Sequence, residues 1–312
     1  MARIPIDLMR QRIASLAVAA ACFAMSTQAA AAVKVFACEP EWAALAREIG
    51  GERVQAYSAT HARQDPHHIR ARPSLVAKIR RADLLFCSGA GLEVGWLPLL
   101  LRRGGGAAVQ PGAIGHLIAA NHIAAIEKPA VLDRSLGDIH PEGNPHFHLD
   151  PNNILSLAGE LRRRLAVIDP PGKAHYDQRY GAFKASWSAA MPVWEQRASA
   201  LADAAVVVHH KFWSYFLRWA GLREAATLEA KPGIPPSAGH LNNVLSTVRA
   251  ENVRAVLRTP YDDAKPSEWL SGRTGIPALE LPATVDRGAQ PGSLKLYFDD
   301  LLSRLESAVG RR

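Results

Sequence analysis

Short apolar runs alternate with segments of helical periodicity in the first part of the chain. Residues 33–37 read as a strand, and residues 40–50 carry apolar side chains every three or four positions, which predicts a helix. Residues 53–59, 73–81 and 82–87 continue the order as strand, helix and strand. Because strands alternate with helices, we expect a parallel sheet with helices packed against it.

A longer helical segment follows, and the alternation then returns. One helix is predicted over residues 152–168, and another from 173 to about 202, which would be about 45 Å long at 1.5 Å per residue. Pro192 lies within the second helix and predicts a kink. Beyond it the predicted strands are 205–208, 253–257 and 278–281, and the predicted helices are 212–220, 241–250, 267–274 and 293–309.

This order predicts an α/β protein with two Rossmann-like lobes, each built on a parallel sheet, joined by a long rigid helix. The predicted bounds are 33–170 for the first lobe, 171–202 for the linking helix and 203–312 for the second lobe. Ligands bind at the carboxyl ends of strands in such sheets. A site that draws on both lobes would therefore lie in the cleft between them.

Residues 1–32 differ in composition from the rest of the chain. Three arginines lead into the apolar run Ile13–Met25, and the small residues Ala29–Ala32 follow, which predicts a secretory signal peptide. The apolar run has about 13 residues, fewer than the ~20 that a membrane-spanning helix needs. A lipoprotein signal that uses Cys22 is the alternative.

Composition and charge narrow the class of partner. The 312 residues are 48% hydrophobic and 21% charged, which is typical of a globular protein. The formal charge of +8 becomes +6 without the three arginines and one aspartate of residues 1–32. Lysine and arginine are scattered, and export argues against a nucleic-acid partner. A basic protein can gather a cation only through specific ligands.

Two cysteines remain beyond residue 32, and both stand at predicted carboxyl ends of strands. Cys38 follows the first strand and Cys87 ends the third, and these strands can be neighbours in a parallel sheet. A structural zinc site requires four ligands, usually in close pairs. An exported protein can keep a disulfide, so we predict a Cys38–Cys87 bridge, with two free thiols as the alternative.

Three pairs of histidines lie at predicted strand ends or strand–helix turns. They are His67 and His68, His146 and His148, and His209 and His210. Imidazole suits zinc, copper, iron and nickel, and three histidines with one further position make a tetrahedral zinc set. Neighbours on a strand face opposite ways, so one member of the last pair is expected in a site. The isolated histidines are interpreted as solvated: His116, His122, His140, His175 and His240.

An enzyme would use the same histidines with a carboxylate as general base. Asp65, Asp150 and Glu280 are candidates for that base. The chain has no His-Glu-x-x-His helix and no Gly-x-Ser-x-Gly turn. A zinc-dependent hydrolase is therefore the lesser alternative, and we predict that the protein is not an enzyme.

Several segments resemble, in the same order, those of the metal-binding solute-binding proteins of bacterial zinc and manganese ABC importers. The resemblance covers residues 33–312 and is carried by Asp65–His67 with Arg72–Ser74, Gly89–Glu93, Asn144–His146 with Leu149–Pro151, His210–Phe216 and Lys231–Pro236. It implies two lobes joined by a long helix, with the metal in the cleft. It also implies one ligand from each pair: His67, His146 and His210.

The resemblance leaves the fourth coordination position open. Members of that family often have an acidic ligand at a Leu-Asp-Pro-like turn of the second lobe, whereas this turn reads Leu279–Ala283 without an aspartate. Glu280, Asp262, Asp263 or water are the candidates. Zinc importers also often carry a long His-rich loop before the second ligand, and here that loop, within residues 116–146, is short.

The function implied by the resemblance is capture of Zn²⁺ in the periplasm and delivery to the membrane permease of an ABC importer. Zinc is favoured because the third ligand is histidine, whereas Mn²⁺ prefers oxygen. A manganese or iron carrier is the alternative within the class. We expect a monomer, supplied where necessary by a periplasmic metallochaperone.

Overall fold

The computed structural model describes residues 32–130, 133 and 137–309. The predicted signal peptide, with Cys22, lies outside the described residues apart from Ala32. Within the part that is described, no helix is long and apolar enough to cross a bilayer.

The first sheet has four parallel strands in the order β2-β1-β3-β4. The strands are β1 (Val33–Ala37), β2 (Val54–Ser58), β3 (Leu84–Cys87) and β4 (His116–Ile118). All four residues of β3 are buried, which explains its continuous apolar sequence. The strand β4 was not predicted, because three residues are too few to show a period.

The second sheet repeats this topology with the order β6-β5-β7-β8. The strands are β5 (Ala205–Val208), β6 (Arg223–Thr227), β7 (Ala255–Arg258) and β8 (Ala278–Glu280). The strand β6 was not predicted, since its charged and small residues give no apolar run. Two parallel sheets with helices confirm the predicted α/β class.

Helices cover the sheets and link them. They are α1 (Pro40–Gly50), α2 (Pro73–Ile79), α3 (Leu97–Gly104), α4 (Pro151–Ile168), α5 (Lys173–Ser199), α6 (Ser214–Ala220), α7 (Ala238–Ala250), α8 (Ala264–Thr274) and α9 (Ser293–Val309). Proline opens α1, α2 and α4, where its missing N–H has no helical partner to lose. The helix α3 was not predicted.

The long helix α5 has 27 residues and continues through Pro192. At 1.5 Å per residue it is about 40 Å long. Its buried Trp187 and Trp194 pack against Phe298 of α9, with ring centroids 5.6 and 5.3 Å from that residue. Because α9 packs on α5, the last helix helps to fix the position of the linking helix.

The chain between β8 and α9 returns to the first lobe. Arg287 donates two hydrogen bonds to the carbonyl of Ser58, at 2.9 and 2.7 Å. Arg47 of α1 donates to the carbonyls of Ala289 and Arg287, at 3.2 and 3.3 Å. These contacts hold the lobes together on the side of the sheets that carries α1.

A disulfide joins Cys38 and Cys87, as predicted. The strands β1 and β3 are hydrogen-bonded neighbours, and Cys38 N donates to the carbonyl of Phe86 at 2.9 Å. Both cysteines are fully buried. The second lobe has no counterpart, because residues 203–312 contain no cysteine.

Candidate metal centre

His67 is oriented by a residue two positions before it. In the turn Asp65-Pro66-His67, Asp65 Oδ1 accepts hydrogen bonds from the backbone N of His67 at 2.9 Å and from its Nδ1 at 2.7 Å. Trp96 Nε1 donates to the carbonyl of Pro66 at 2.9 Å and anchors the turn. Because Nδ1 is engaged, Nε2 is the ring nitrogen of His67 that can bind a ligand.

His146 is oriented in the same way, by a residue two positions before it. In the turn Asn144-Pro145-His146, Asn144 Oδ1 accepts from the backbone N and from Nδ1 of His146, both at 2.9 Å. His146 is buried, and its Nε2 has no hydrogen-bond partner. A buried polar atom without a partner costs free energy, and a metal ion is the kind of ligand that satisfies an imidazole nitrogen.

His210 is oriented by a residue from another loop. Glu229, which follows β6, accepts from His210 Nδ1 at 2.8 Å through Oε2. The same oxygen accepts from the backbone N of Gly233 at 2.9 Å. Nδ1 is again engaged, so Nε2 of His210 is free for a ligand.

One ring nitrogen from each of His67, His146 and His210 lies within 4.8 Å of the others. Their ring centroids are 5.7 to 5.9 Å apart. The structure therefore brings together the three histidines that the resemblance selected. On each ring Nδ1 is hydrogen-bonded, which leaves Nε2 as the nitrogen that can bind a metal ion. The fit between this set and a metal ion such as Zn²⁺ follows from the donor chemistry.

The lobes are also joined beside these histidines. Asn144 Nδ2 donates to the carbonyl of Lys211 at 2.7 Å, and Tyr215 donates to the carbonyl of Asn144 at 3.0 Å. The loop that carries His146 is thus bonded directly to the segment that carries His210.

Two carboxylates stand behind the histidines. Burial raises the pKa of Asp65 and of Glu229, but the hydrogen bonds and charge of the neighbouring histidines outweigh burial and hold each pKa below its ordinary value. Both side chains are therefore ionised at neutral pH. They supply negative charge outside a set of nitrogen donors, which offsets the charge of a bound cation.

The histidines themselves differ in their affinity for protons. Burial lowers the pKa of His146 well below its ordinary value, and the charges of His67 and His210 lower it further. Burial also lowers the pKa of His210, but the hydrogen bond and charge of Glu229 outweigh burial and raise it. His146 stays neutral, as a metal ligand must.

His140 lies at this site, contrary to its interpretation as a solvated residue. Its Nε2 is 3.2 Å from Nε2 of His67, and its Nδ1 is 3.0 Å from the carbonyl of Ala90. Burial, and then the charge of His67, lower the pKa of His140 to about 4. No local signal in the sequence points to it, since His140 and His67 are 73 residues apart along the chain.

The three acidic candidates for the fourth coordination position differ in their location and in their partners. Asp262 lines the same pocket as the three histidines, and burial raises its pKa against the opposing charges of His209 and His210. Glu280 is paired with Arg258 at 2.7 Å, and Asp263 caps α8. Of the three, Asp262 alone faces the histidines.

The other member of each histidine pair, His68, His148 or His209, lies outside the cluster. His68 has two thirds of its side chain exposed. His148 is buried, with Nε2 3.1 Å from the carbonyl of Ala283. His209 is buried, with Nε2 3.8 Å from Glu229 Oε1.

The carboxylates considered as the general base of a hydrolase each have another partner. Asp65 accepts from His67, and Asp150 caps α4 by accepting from the backbone N of Asn152 at 2.9 Å. Glu280 pairs with Arg258. The geometry is that of a metal-binding cleft between two α/β lobes.

The comparison with protein families agrees with this class. The family model described as zinc-uptake complex component A, periplasmic (ZnuA), matches residues 35–307. The chain therefore belongs to the ZnuA family. It is a substrate-binding protein of a metal ABC transporter and not an enzyme, which confirms the predicted class.

Curated relatives are distant and name different metals. The metal ABC transporter substrate-binding lipoprotein SloC of Streptococcus mutans is 23% identical over 238 residues, which is 75% of this chain and 74% of the relative. The manganese ABC transporter substrate-binding lipoprotein PsaA of Streptococcus pneumoniae is 21% identical over 250 residues, 78% and 77% of the two chains. The iron lipoprotein MtsA of Streptococcus pyogenes is 22% identical over 264 residues, 82% of each chain.

Solved structures share the fold. A crystal structure of ZnuA has a TM-score of 0.73 at 21% identity and covers 89% of this chain and 99% of its own. The structure of FpvC from Pseudomonas aeruginosa in complex with Mn²⁺ has a TM-score of 0.73 at 18% identity, covering 89% and 98%.

Proposed function

We propose that this protein captures Zn²⁺ in the periplasm with Nε2 of His67, His146 and His210 and delivers the ion to the permease of its ABC transporter. The observation that carries the proposal is the hydrogen bonding of Nδ1 on all three rings, since it leaves Nε2 of each ring available to an ion. One ring nitrogen from each histidine lies within 4.8 Å of the others. The unpartnered, buried Nε2 of His146 supports it further.

The donor set supports zinc over the other metals named among the relatives. Among the described residues, the group of ligand atoms that contains these three histidines holds no carboxylate, which makes a nitrogen-rich site. Zn²⁺ takes such tetrahedral sets readily, whereas Mn²⁺ favours oxygen. A manganese or iron carrier, with Asp262 as an oxygen ligand, is the second candidate, and the position of Asp262 in the pocket favours it.

No bond of the cargo is made or broken, because the ion is bound and released. Export would rest on the predicted signal peptide of residues 1–32, with a lipid anchor at Cys22 as the alternative. We propose a monomer that docks on its permease, with a periplasmic metallochaperone as a source of the ion. A cleft of about 210 Å³ lined by His140, His146 and His210 offers a path to the site.

Calorimetry and chelator competition with purified protein test the proposal. We expect one tightly bound Zn²⁺ per chain and at least about a 100-fold loss of affinity in His67→Ala, since a metal ligand should matter no less than the residues that orient it. His68→Ala is the matched control, because His68 is adjacent and exposed, and its affinity should stay within about threefold of the wild type. Equal affinities of the two variants would overturn the assignment of His67.

A competition titration separates the metals. The zinc-loaded protein should resist a large excess of Mn²⁺ and of Fe²⁺ kept reduced under anaerobic conditions. Displacement of zinc by equimolar Mn²⁺ would instead favour the second candidate.

A further inference from the structure

His140 faces the three proposed ligands from a separate segment of the first lobe. Its Nε2 lies 3.2 Å from His67 Nε2. Its ring centroid is 5.2 Å from that of His67 and 6.4 Å from that of His146, with the rings of His140 and His146 nearly perpendicular. These distances are similar to those among His67, His146 and His210, and His140 lines one cavity together with His146 and His210.

The hydrogen bonds fix the tautomers of the two facing rings. His140 Nδ1 contacts the carbonyl of Ala90, and His67 Nδ1 contacts the carboxylate of Asp65. A carbonyl and a carboxylate only accept, so both Nδ1 atoms carry the hydrogen. In the neutral rings the two Nε2 lone pairs then face each other at 3.2 Å. That arrangement is repulsive unless a positive charge lies between them.

The separation matches the edge of a zinc coordination tetrahedron. With Zn–N bonds of 2.0–2.1 Å, two tetrahedral nitrogen ligands lie about 3.3–3.4 Å apart. The His67–His140 pair is already at this distance. One ring nitrogen from each of His67, His146 and His210 lies within 4.8 Å of the others, and His140 is outside this group. Binding of one ion by all four rings therefore requires them to move closer together.

Both lobes hold the segment that presents His140. Asp138 N donates to the carbonyl of Pro232 at 2.9 Å. Gly137 has a φ of +90°, and a Cβ there would collide with that same carbonyl. Gly143 N donates to the carbonyl of His140 at 3.0 Å. The segment is therefore positioned by contacts to both sides of the cleft.

We infer that His140 is the fourth protein ligand of the bound ion, which completes a site of four imidazole nitrogens. This inference rests on the proposed function, because it assumes that the cleft binds the ion. Four imidazole ligands carry no negative charge, so the charge of the bound ion is balanced by Asp65 and Glu229, which accept hydrogen bonds from His67 and His210. Such a site disfavours Mn²⁺, which prefers oxygen, so His140 also determines metal specificity.

Counting the imidazoles on the metal tests this directly. X-ray absorption of the zinc-loaded wild-type protein should fit four nitrogen ligands with the scattering of four imidazoles, and His140→Ala should fit three with one light atom from water or Asp262. The cobalt-loaded proteins should differ in their visible bands in the same way. His68→Ala, the matched control, should leave both signatures unchanged.

The Zn²⁺ affinity of His140 variants provides a second test of this inference. His140→Ala and His140→Gln should bind Zn²⁺ about 10- to 100-fold more weakly, with the affinity for Mn²⁺ changed less than threefold. Circular dichroism of each variant establishes that it is folded, and the wild-type absorption data require no variant. Three imidazoles in the wild type, or an unchanged spectrum in His140→Ala, would overturn the role of His140 while leaving the other three ligands intact. Loss of the proposed function would appear differently, as unchanged zinc affinity in His67→Ala.

Discussion

The two lobes share one strand order but contribute differently to the cleft. The first lobe carries His67 and His146, each oriented by an Asp or Asn two positions earlier in an Asx-Pro-His turn. The second lobe carries His210, oriented by Glu229 from a different loop. The first lobe therefore supplies imidazoles through local geometry, whereas the second supplies its imidazole through packing.

The two lobes also differ in the pKa values of their histidines. His140 and His146 of the first lobe have lowered pKa values, because both are buried among other histidines. The second lobe places the ionised Glu229 beside His210 and raises its pKa. The first lobe therefore holds two histidines whose protonation is disfavoured, whereas the protonation of His210 in the second lobe is favoured by a carboxylate.

The largest expected effect concerns the disulfide, which only the first lobe has. Replacing Cys38 and Cys87 by serine should lower the free energy of unfolding by about 4 kcal/mol, because the bridge closes a loop of about 50 residues. Chemical denaturation of the metal-free protein measures this. Zinc affinity under folding conditions should change less than about threefold, and an unchanged denaturation midpoint would contradict the prediction.

Removing the second lobe's histidine should separate the contributions of the lobes. His210→Ala should lose at least about 100-fold in zinc affinity, yet a weaker zinc site should persist on the histidines of the first lobe. His146→Ala removes the most buried of the first lobe's proposed ligands and should lose at least as much. Calorimetry at high protein concentration detects the residual site. Wild-type affinity in His210→Ala would refute a site shared between the lobes.

The residues that orient the histidines provide a smaller test. Glu229→Ala should weaken zinc binding about 10- to 100-fold, because His210 loses the partner that fixes its ring. Asp65→Asn should cost no more than about tenfold, since Asn144 already performs the same task with an amide. Glu229→Gln is the matched variant that keeps an acceptor, and it should lie between Glu229→Ala and the wild type. Equal affinities of Glu229→Ala and Glu229→Gln would show that acceptor geometry is unimportant.

The smallest expected effect is the number of protons released on zinc binding. Four ordinary imidazoles would release close to four protons at pH 5.5, below their usual pKa near ~6.5. His140 and His146 have lowered pKa values and are already unprotonated there. We therefore expect no more than about two protons, and affinity that falls as pH decreases because protons compete at the remaining rings. Calorimetry in buffers of different ionisation enthalpy measures the count.

Much of the fold follows from local sequence signals. Apolar runs and helical periodicity place most strands and helices within a few residues of their observed bounds. They miss β4, β6 and α3, which are short or carry few apolar residues. The Cys38–Cys87 bridge also follows from the sequence, because adjacent parallel strands that end together bring their carboxyl ends into contact.

The sequence by itself determined the orientation of His67 and His146, because an acceptor two residues away reaches the ring without help from the rest of the chain. Only the tertiary structure decided the rest of the site. Glu229 meets His210 because β5 and β6 are paired, and Glu280 is unavailable because β7 and β8 place it beside Arg258. His140 reaches His67, 73 residues away, through contacts to both lobes. Such distances along the chain carry no local signal, since packing alone brings these groups together.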